Sequence, residues 1–317
     1  MSAHELQLDV VTYGEALALL VADEVGAFED VEKYTRRLAG AETNVAIGLA
    51  RLGLKVGWLS RVGDDSFGRF IRKRVAQEGV DVSRVTTDTR YRTAIQLKAK
   101  AVNGADPAIE YYRKGSAASH LSTEVDFDDS YFGNARHLHA TGIAAALSPT
   151  TMAFAHHALE YMRVRGKTIS FDPNLRPTLW PSQEVMAEKL NELAFKAHWV
   201  LPGLSEGKIL TGYTEPRDIA AFYLERGVAM VVIKLGEEGA YFRTAQGQEG
   251  TVPGVRVPEV VDTVGAGDGF AVGVISGMLE GLSVEQAVAR GNRIGAFAIQ
   301  VVGDMEGLPT RAQLDAA

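Results

Sequence analysis

No cysteine occurs among the 317 residues, which excludes disulfides, thiolate metal sites and a cysteine nucleophile. Long apolar runs are also missing. The least interrupted one, residues 270–279, is far shorter than the roughly 20 residues of a spanning helix. The N-terminus, MSAHELQLDVV, lacks the apolar centre of a secretion signal. Nor is there an excess of basic charge: 33 Lys and Arg face 40 Asp and Glu, a net charge of −7. No overall electrostatic footprint therefore favours nucleic acid or an anionic bilayer, and an anionic substrate would need local cations. These absences lead to the expectation of a cytoplasmic protein with neither nucleic-acid nor membrane partners. What is present, 46% hydrophobic and 23% charged residues, suffices for a substantial core.

Short β-branched runs alternate with helical patterns: 9–13, 43–52, 56–60, 67–77, 138–140, 151–164, 168–171 and 185–195. Further runs follow at 198–201, 230–234 and 239–243, then two final helices over about 267–280 and 284–301. This is the form of repeated βαβ units on a parallel sheet, an α/β fold. Two stretches break the alternation, 16–22 and 93–102, the second followed by 109–112 after an Asn103-Gly104 turn signal. They predict a small antiparallel sheet, a lid over a site or else an edge extension or dimer surface.

The segment VVDTVGAGDGFAVGVISGML, residues 260–279, carries Gly265-Ala266-Gly267-Asp268-Gly269 where a helix should begin. Glycines there let backbone approach a ligand, and the unpaired first-turn N–H groups, helped by the helix dipole, favour an anion. Gly265, Ala266 and Gly267 thus suit an anion hole. Asp268 in the first turn suits a base that accepts a hydroxyl proton while the N–H groups hold charge on a transferring phosphoryl group. The plainer reading is an N-capping aspartate beside a glycine turn. A dinucleotide fingerprint fails because Phe270 stands at its last glycine position. Residues 63–70, GDDSFGRF, have the glycine spacing of a phosphate loop without its lysine and hydroxyl, and read as a turn capping the next helix.

Asp262-Thr263-Val264-Gly265-Ala266-Gly267-Asp268 resembles the C-terminal signature of the ribokinase-like (PfkB) sugar kinases, and Ala39-Gly40-Ala41-Glu42-Thr43-Asn44-Val45-Ala46 resembles their sugar-binding turn into a helix. Val62-Gly63-Asp64-Asp65 and the segment 232–240, VIKLGEEGA, are also similar to family segments. The resemblance spans essentially the whole chain. It implies one ribokinase-like domain over 1–317: a three-layer α/β/α core with a mostly parallel sheet, plus a small β lid within about 15–38 and 90–115. Asp268 would be the catalytic base, Gly265, Ala266 and Gly267 the anion hole, and Gly40, Ala41 and Asn44 part of the sugar site. Lys234, Gly236, Gly239, Asn174 and Asn292 would lie at ATP. Glu206 would organise Mg²⁺ through water, although Gly203 stands where many members have asparagine. A monovalent cation and a homo-oligomer formed through the lid sheet complete what the family implies.

Within the family, residues 111–117 (YYRKGSA), 172–180 (DPNLRPTLW) and 303–309 (GDMEGLP) are most similar to the 2-keto-3-deoxygluconate kinases. Chemistry gives an independent reason. A guanidinium binds a carboxylate through two parallel hydrogen bonds, so Arg113 and Arg176 suit a sugar acid; each alone also reads as a solvated or structural ion pair. By resemblance Tyr111, Arg113, Arg176 and Asp304 contact the substrate, while Gln96 stands where some keto-acid kinases have tyrosine. The expected activity is ATP-dependent phosphorylation of the C6 hydroxyl of 2-keto-3-deoxygluconate. A neutral sugar or nucleoside substrate, and a non-catalytic sugar sensor, are the alternatives. His137 and His139 share a strand face but lack a third zinc ligand, and His156-His157 lack helical zinc spacing. Trp180 and Tyr241 read as packing residues.

Overall fold

The computed structural model describes residues 7–100 and 107–316. Among these residues, thirteen strands form two sheets: β1 Leu8–Tyr13, β2 Leu17–Ala22, β3 Tyr34–Ala39, β4 Val56–Gly63, β5 Val85–Asp88, β6 Ile95–Lys98, β7 Ile109–Tyr112, β8 Ala135–Thr141, β9 Thr168–Asp172, β10 Trp199–Val200, β11 Met230–Lys234, β12 Ala240–Thr244 and β13 Glu249–Val252. The large sheet has the order β13-β12-β11-β10-β9-β8-β1-β4-β5. It is parallel from β11 through β5, with the antiparallel β12 and β13 at one edge. The order reverses at β1, between β8 and β4, and ligands of open α/β sheets bind beyond the strand C-termini at such a point.

Alternation along the strands divides the core. Val11, Tyr13, Leu59, Leu138, Ile169 and Phe171 face one helical layer. Val10, Trp58, Val232, Phe270, Val272 and Ile275 belong to the apolar cluster on the other face. The second face includes the helix Ala266–Leu279, buried from Gly269 to Gly277, packed against the helices Val284–Ala298 and Ala41–Arg51. Two glycines, Gly273 and Gly291, allow this packing. A β-carbon on Gly273 would stand 2.4 Å from the Gly291 nitrogen, so the two helices meet backbone against backbone. Among the described residues, no helix is long and apolar enough to cross a membrane.

The helical patterns form where periodicity predicts them, with ends moved by capping. The last long helix stops at Ala298 rather than near 301, and the 151–164 pattern starts earlier, at Pro149, because Ser148 caps it. The turn at 63–65 does cap its helix: Asp65 accepts from the Gly68 amide at 2.8 Å.

The smaller sheet has the order β3-β2-β6-β7. Its outer pairs are antiparallel, and the central pair β2 and β6 is parallel because the chain visits β4 and β5 of the large sheet between them. The Asn103-Gly104 turn lies outside the described residues.

Candidate active site

A cleft of about 410 Å³ opens between the two sheets. Leu17, Ala39, Gln96, Ile109 and Tyr111 line it from the smaller sheet. From the large sheet and its loops come Asp172, Lys234, Gly265, Gly267, Asp268 and Asp304. Gly40, Ala41 and Asn44 border it from the start of their helix, and Arg113, Asn174 and Arg176 from the following loops.

Gly265 caps the helix Ala266–Leu279 with φ 85°, the left-handed region. A β-carbon there would lie 2.3 Å from the Asp304 carbonyl oxygen, so only glycine fits. Gly265 and Gly267 face the cleft; Ala266, the first helical residue, donates its amide to the Thr263 carbonyl at a long 3.4 Å, and first-turn amides have no partners within the helix itself. A β-carbon on Gly267 would stand 3.5 Å from Lys234 Nζ, so the ammonium adjoins this anion-receptive turn.

Asp268 Oδ2 accepts from Asn44 Nδ2 at 2.7 Å, a bond joining residues 224 positions apart and thereby the two signature segments. Burial pushes the Asp268 carboxyl up to about 7; Asp172 and Asp304 add to this, while the Asn44 bond and Lys234 oppose it. Lys234 pairs with Asp172 at 2.7 Å. Burial works against its ammonium, but Asp172, Glu206 and Asp268 outweigh that and hold its pKa above the usual lysine range.

The two arginines are not equivalent. Arg113 is buried, its Nε donating to Glu15 Oε2 at 2.7 Å, and Ser116 Oγ donates to the other oxygen of the same carboxylate. Glu15 balances Arg113 and fixes it in the cleft wall, so the two guanidiniums differ in that Arg113 already has a carboxylate partner. Arg176 is half-buried and donates through Nη1 to the carbonyls of Leu175 at 2.9 Å and Asn174 at 3.5 Å. No carboxylate pairs with it among the described residues, so its outer edge is the available cation. Just before it, Asn174 holds φ 42°, rare for a residue other than glycine, with its amide donating to Asp172 at 3.2 Å.

Ala266, Glu206, Gly236, Gly239 and Asn292, also expected at the site, are not among the residues lining the cleft. Gly236 opens the short turn Gly236–Glu238 after β11. Gly239 packs so closely that a β-carbon would lie 2.1 Å from the Val252 carbonyl oxygen. Asn292 donates to the carbonyls of Val252 at 3.1 Å and Pro253 at 3.0 Å. Its amide N–H groups thus bond the end of β13 and the residue after it.

Glu206 accepts from the Leu175 amide at 2.8 Å and the Gly203 amide at 2.7 Å. Each carboxylate oxygen retains a lone pair, and Glu206 and Asp172 both act on Lys234. Among the described residues, no three His, Cys, Asp or Glu cluster as an all-protein metal cage. Two carboxylates beside a phosphate-receptive turn fit Mg²⁺, which keeps waters and shares its ligands with phosphate.

His137 and His139 serve the interior: both bond to Ser170 Oγ, at 2.8 and 2.9 Å, and His137 also to Thr168 Oγ1. Burial lowers His139 to about 3, so it is neutral. Trp180 and Tyr241 pack against the core. Sequence reasoning gave no role to Glu15, Asp172 or Glu42. Glu42 is fully buried, bonded by the Thr141 hydroxyl at 2.5 Å and pushed to about 7 by burial. For Glu15 and Asp172 the available signal was position, an acidic residue just beyond or at the end of a parallel strand.

Residues 7–311 match the pfkB family carbohydrate kinase pattern. The chain is 53% identical over 310 residues to the 2-dehydro-3-deoxygluconokinase of Bacillus subtilis (strain 168), covering 98% of this chain and 95% of the relative. Among solved structures it is similar to a PfkB protein from Polaromonas sp. JS666, with 54% identity, TM-score 0.90, and 98% and 100% of the two chains covered. It is also similar to a putative ribokinase II from E. coli in complex with ATP and Mg²⁺, with 26% identity, TM-score 0.89 and 98% of each chain covered.

Proposed function

The chain belongs to the pfkB family of carbohydrate kinases, and on that footing we propose that it transfers the γ-phosphoryl group of ATP to the C6 hydroxyl of 2-dehydro-3-deoxygluconate, the 2-keto-3-deoxy sugar acid. One observation carries the choice of an acid: Arg176, a guanidinium without a carboxylate partner among the described residues, borders the same cleft as Asp268. The 53% identity to a 2-dehydro-3-deoxygluconokinase supports the same substrate.

The chemistry follows from the residues. Asp268 takes the proton of the attacking hydroxyl, oriented by its bond from Asn44. The amides at Gly265–Gly267 and the Lys234 ammonium receive the charge that spreads over the transferring phosphoryl oxygens. Arg176 takes the substrate carboxylate through parallel hydrogen bonds and so fixes which hydroxyl meets Asp268. Asp172 and Glu206 would hold Mg²⁺ through water, and the ion, when bound, neutralises phosphate charge.

Incubation with ATP, Mg²⁺ and the sugar acid tests the reading, with the product examined by phosphorus and proton NMR. Phosphate is expected on C6, with ADP formed in equal amount. Phosphate on another hydroxyl would contradict the orientation assigned to Arg176 and Asp268. Transfer to fructose or ribose with none to the acid would move the substrate class to neutral sugars.

A further inference from the structure

Lys98 is the one fully buried lysine among the described residues, 1% exposed, and the chemistry above does not use it. It is the last residue of β6, on the smaller sheet, yet its buried ammonium reaches two aspartates next to the turn entering Gly265, one of which, Asp304, lines the cleft. It lies 2.6 Å from Asp262 Oδ2 and 3.3 Å from Asp304 Oδ1. A lysine is seldom placed in such a setting unless its partners hold it there.

Both partners shape the anion-receptive turn. Asp262 Oδ1 accepts from the Val264 amide at 3.2 Å, immediately before Gly265, and its Oδ2 accepts from the Gly303 amide at 3.2 Å. Asp304 packs its carbonyl against Gly265 and lines the cleft. Two buried carboxyl groups beside a site that must attract phosphate would repel it unless a positive charge stood among them. Lys98 supplies that charge. A second clip runs parallel to it: Arg37 of β3 pairs with Glu306 at 3.2 Å, tying the smaller sheet to the same loop.

We propose that Lys98 is a positioning residue for phosphoryl transfer: its ammonium is the built-in counter-charge of Asp262 and Asp304, it couples the smaller sheet to the turn entering Gly265, and it removes the need for a monovalent cation from solution. A cation there would compete with the ammonium for the same carboxylate oxygens. This rests on the kinase reading but not on the identity of the sugar, since a wrong sugar assignment shows separately, as faster turnover of another substrate.

The test uses the whole enzyme with ATP, Mg²⁺ and whichever sugar it turns over fastest. Wild-type rates are compared in potassium, sodium, ammonium and tetramethylammonium chloride. They are expected to agree within about twofold once ionic strength is matched. Activation of about tenfold or more by potassium over tetramethylammonium would overturn the proposal, because it would mean that the counter-charge comes from solution. In Lys98→Met, kcat should fall by about tenfold or more with both KM values little changed, and potassium or ammonium should restore part of it. An unchanged kcat, or a loss that neither cation repairs, would reduce Lys98 to a packing residue. If Lys98→Met does not fold, the wild-type salt series decides alone.

Discussion

Asp268→Asn is expected to lower kcat by about 10²- to 10⁴-fold, the range for removing a positioned general base, while leaving the affinity for sugar and ATP nearly unchanged. Asparagine keeps the shape and can still bond Asn44, but it cannot take the hydroxyl proton. The same substitution should not destabilise the fold. Burial raises the Asp268 pKa from 3.8 to about 7, so its contribution to stability is complete below the unfolded value and is lost as pH rises through about 7. At pH 8 the native state carries a disfavoured carboxylate that the variant lacks. Its Tm should therefore equal or exceed that of the wild type there, with the advantage shrinking toward pH 5. Activity has the opposite sign, since the base acts only when deprotonated: wild-type kcat/KM should climb with pH and level off above about 7. Near-normal turnover of Asp268→Asn would remove the assignment of the base.

Arg176→Ala is expected to lower kcat/KM for the sugar acid by about 10- to 100-fold, the effect of losing hydrogen bonds to a charged group. Turnover of a neutral sugar should change by no more than about threefold, because Arg176 then has no carboxylate to hold. Arg176→Lys should fall between, keeping the charge but not the two-pronged geometry. Equal losses on acid and neutral substrates would mean that Arg176 shapes the loop after β9 through its bonds to the Leu175 and Asn174 carbonyls and does not read the carboxylate.

The contrast between the arginines shows how far the sequence could be read. Gly265, Gly267 and Asp268 are legible because an anion-receptive helix start is written in consecutive residues. Asn44 is legible only as part of a second local pattern; its bond to Asp268 belongs to the fold. Arg113 and Arg176 look alike in one dimension. What separates them is Glu15, 98 residues before Arg113 and brought beside it where β1 ends. Asn292 is a similar case, since its amide is committed to carbonyls some 40 residues earlier. The parallel sheet follows from alternating strand and helix patterns, whereas the parallel pairing of β2 with β6 depends on the chain's excursion through β4 and β5. Lys98 gives no local sign at all. In the run QLKAK its neighbour Lys100 donates to the exposed carbonyl of Asp23, while Lys98 is buried between two aspartates.

In the proposed function, one cleft pairs an anion-receptive turn and a carboxylate base with a guanidinium that selects a sugar acid. This pairing is tested most directly by measuring kcat/KM for 2-dehydro-3-deoxygluconate, fructose and ribose side by side, at saturating ATP and Mg²⁺. A preference for the acid of about 10²-fold or more is expected, as for a site whose charged group is left unpaired by the wrong substrate. Equal or faster turnover of fructose or ribose would contradict the account of Arg176 and leave Asp268 and its turn as the machinery of a neutral-sugar kinase.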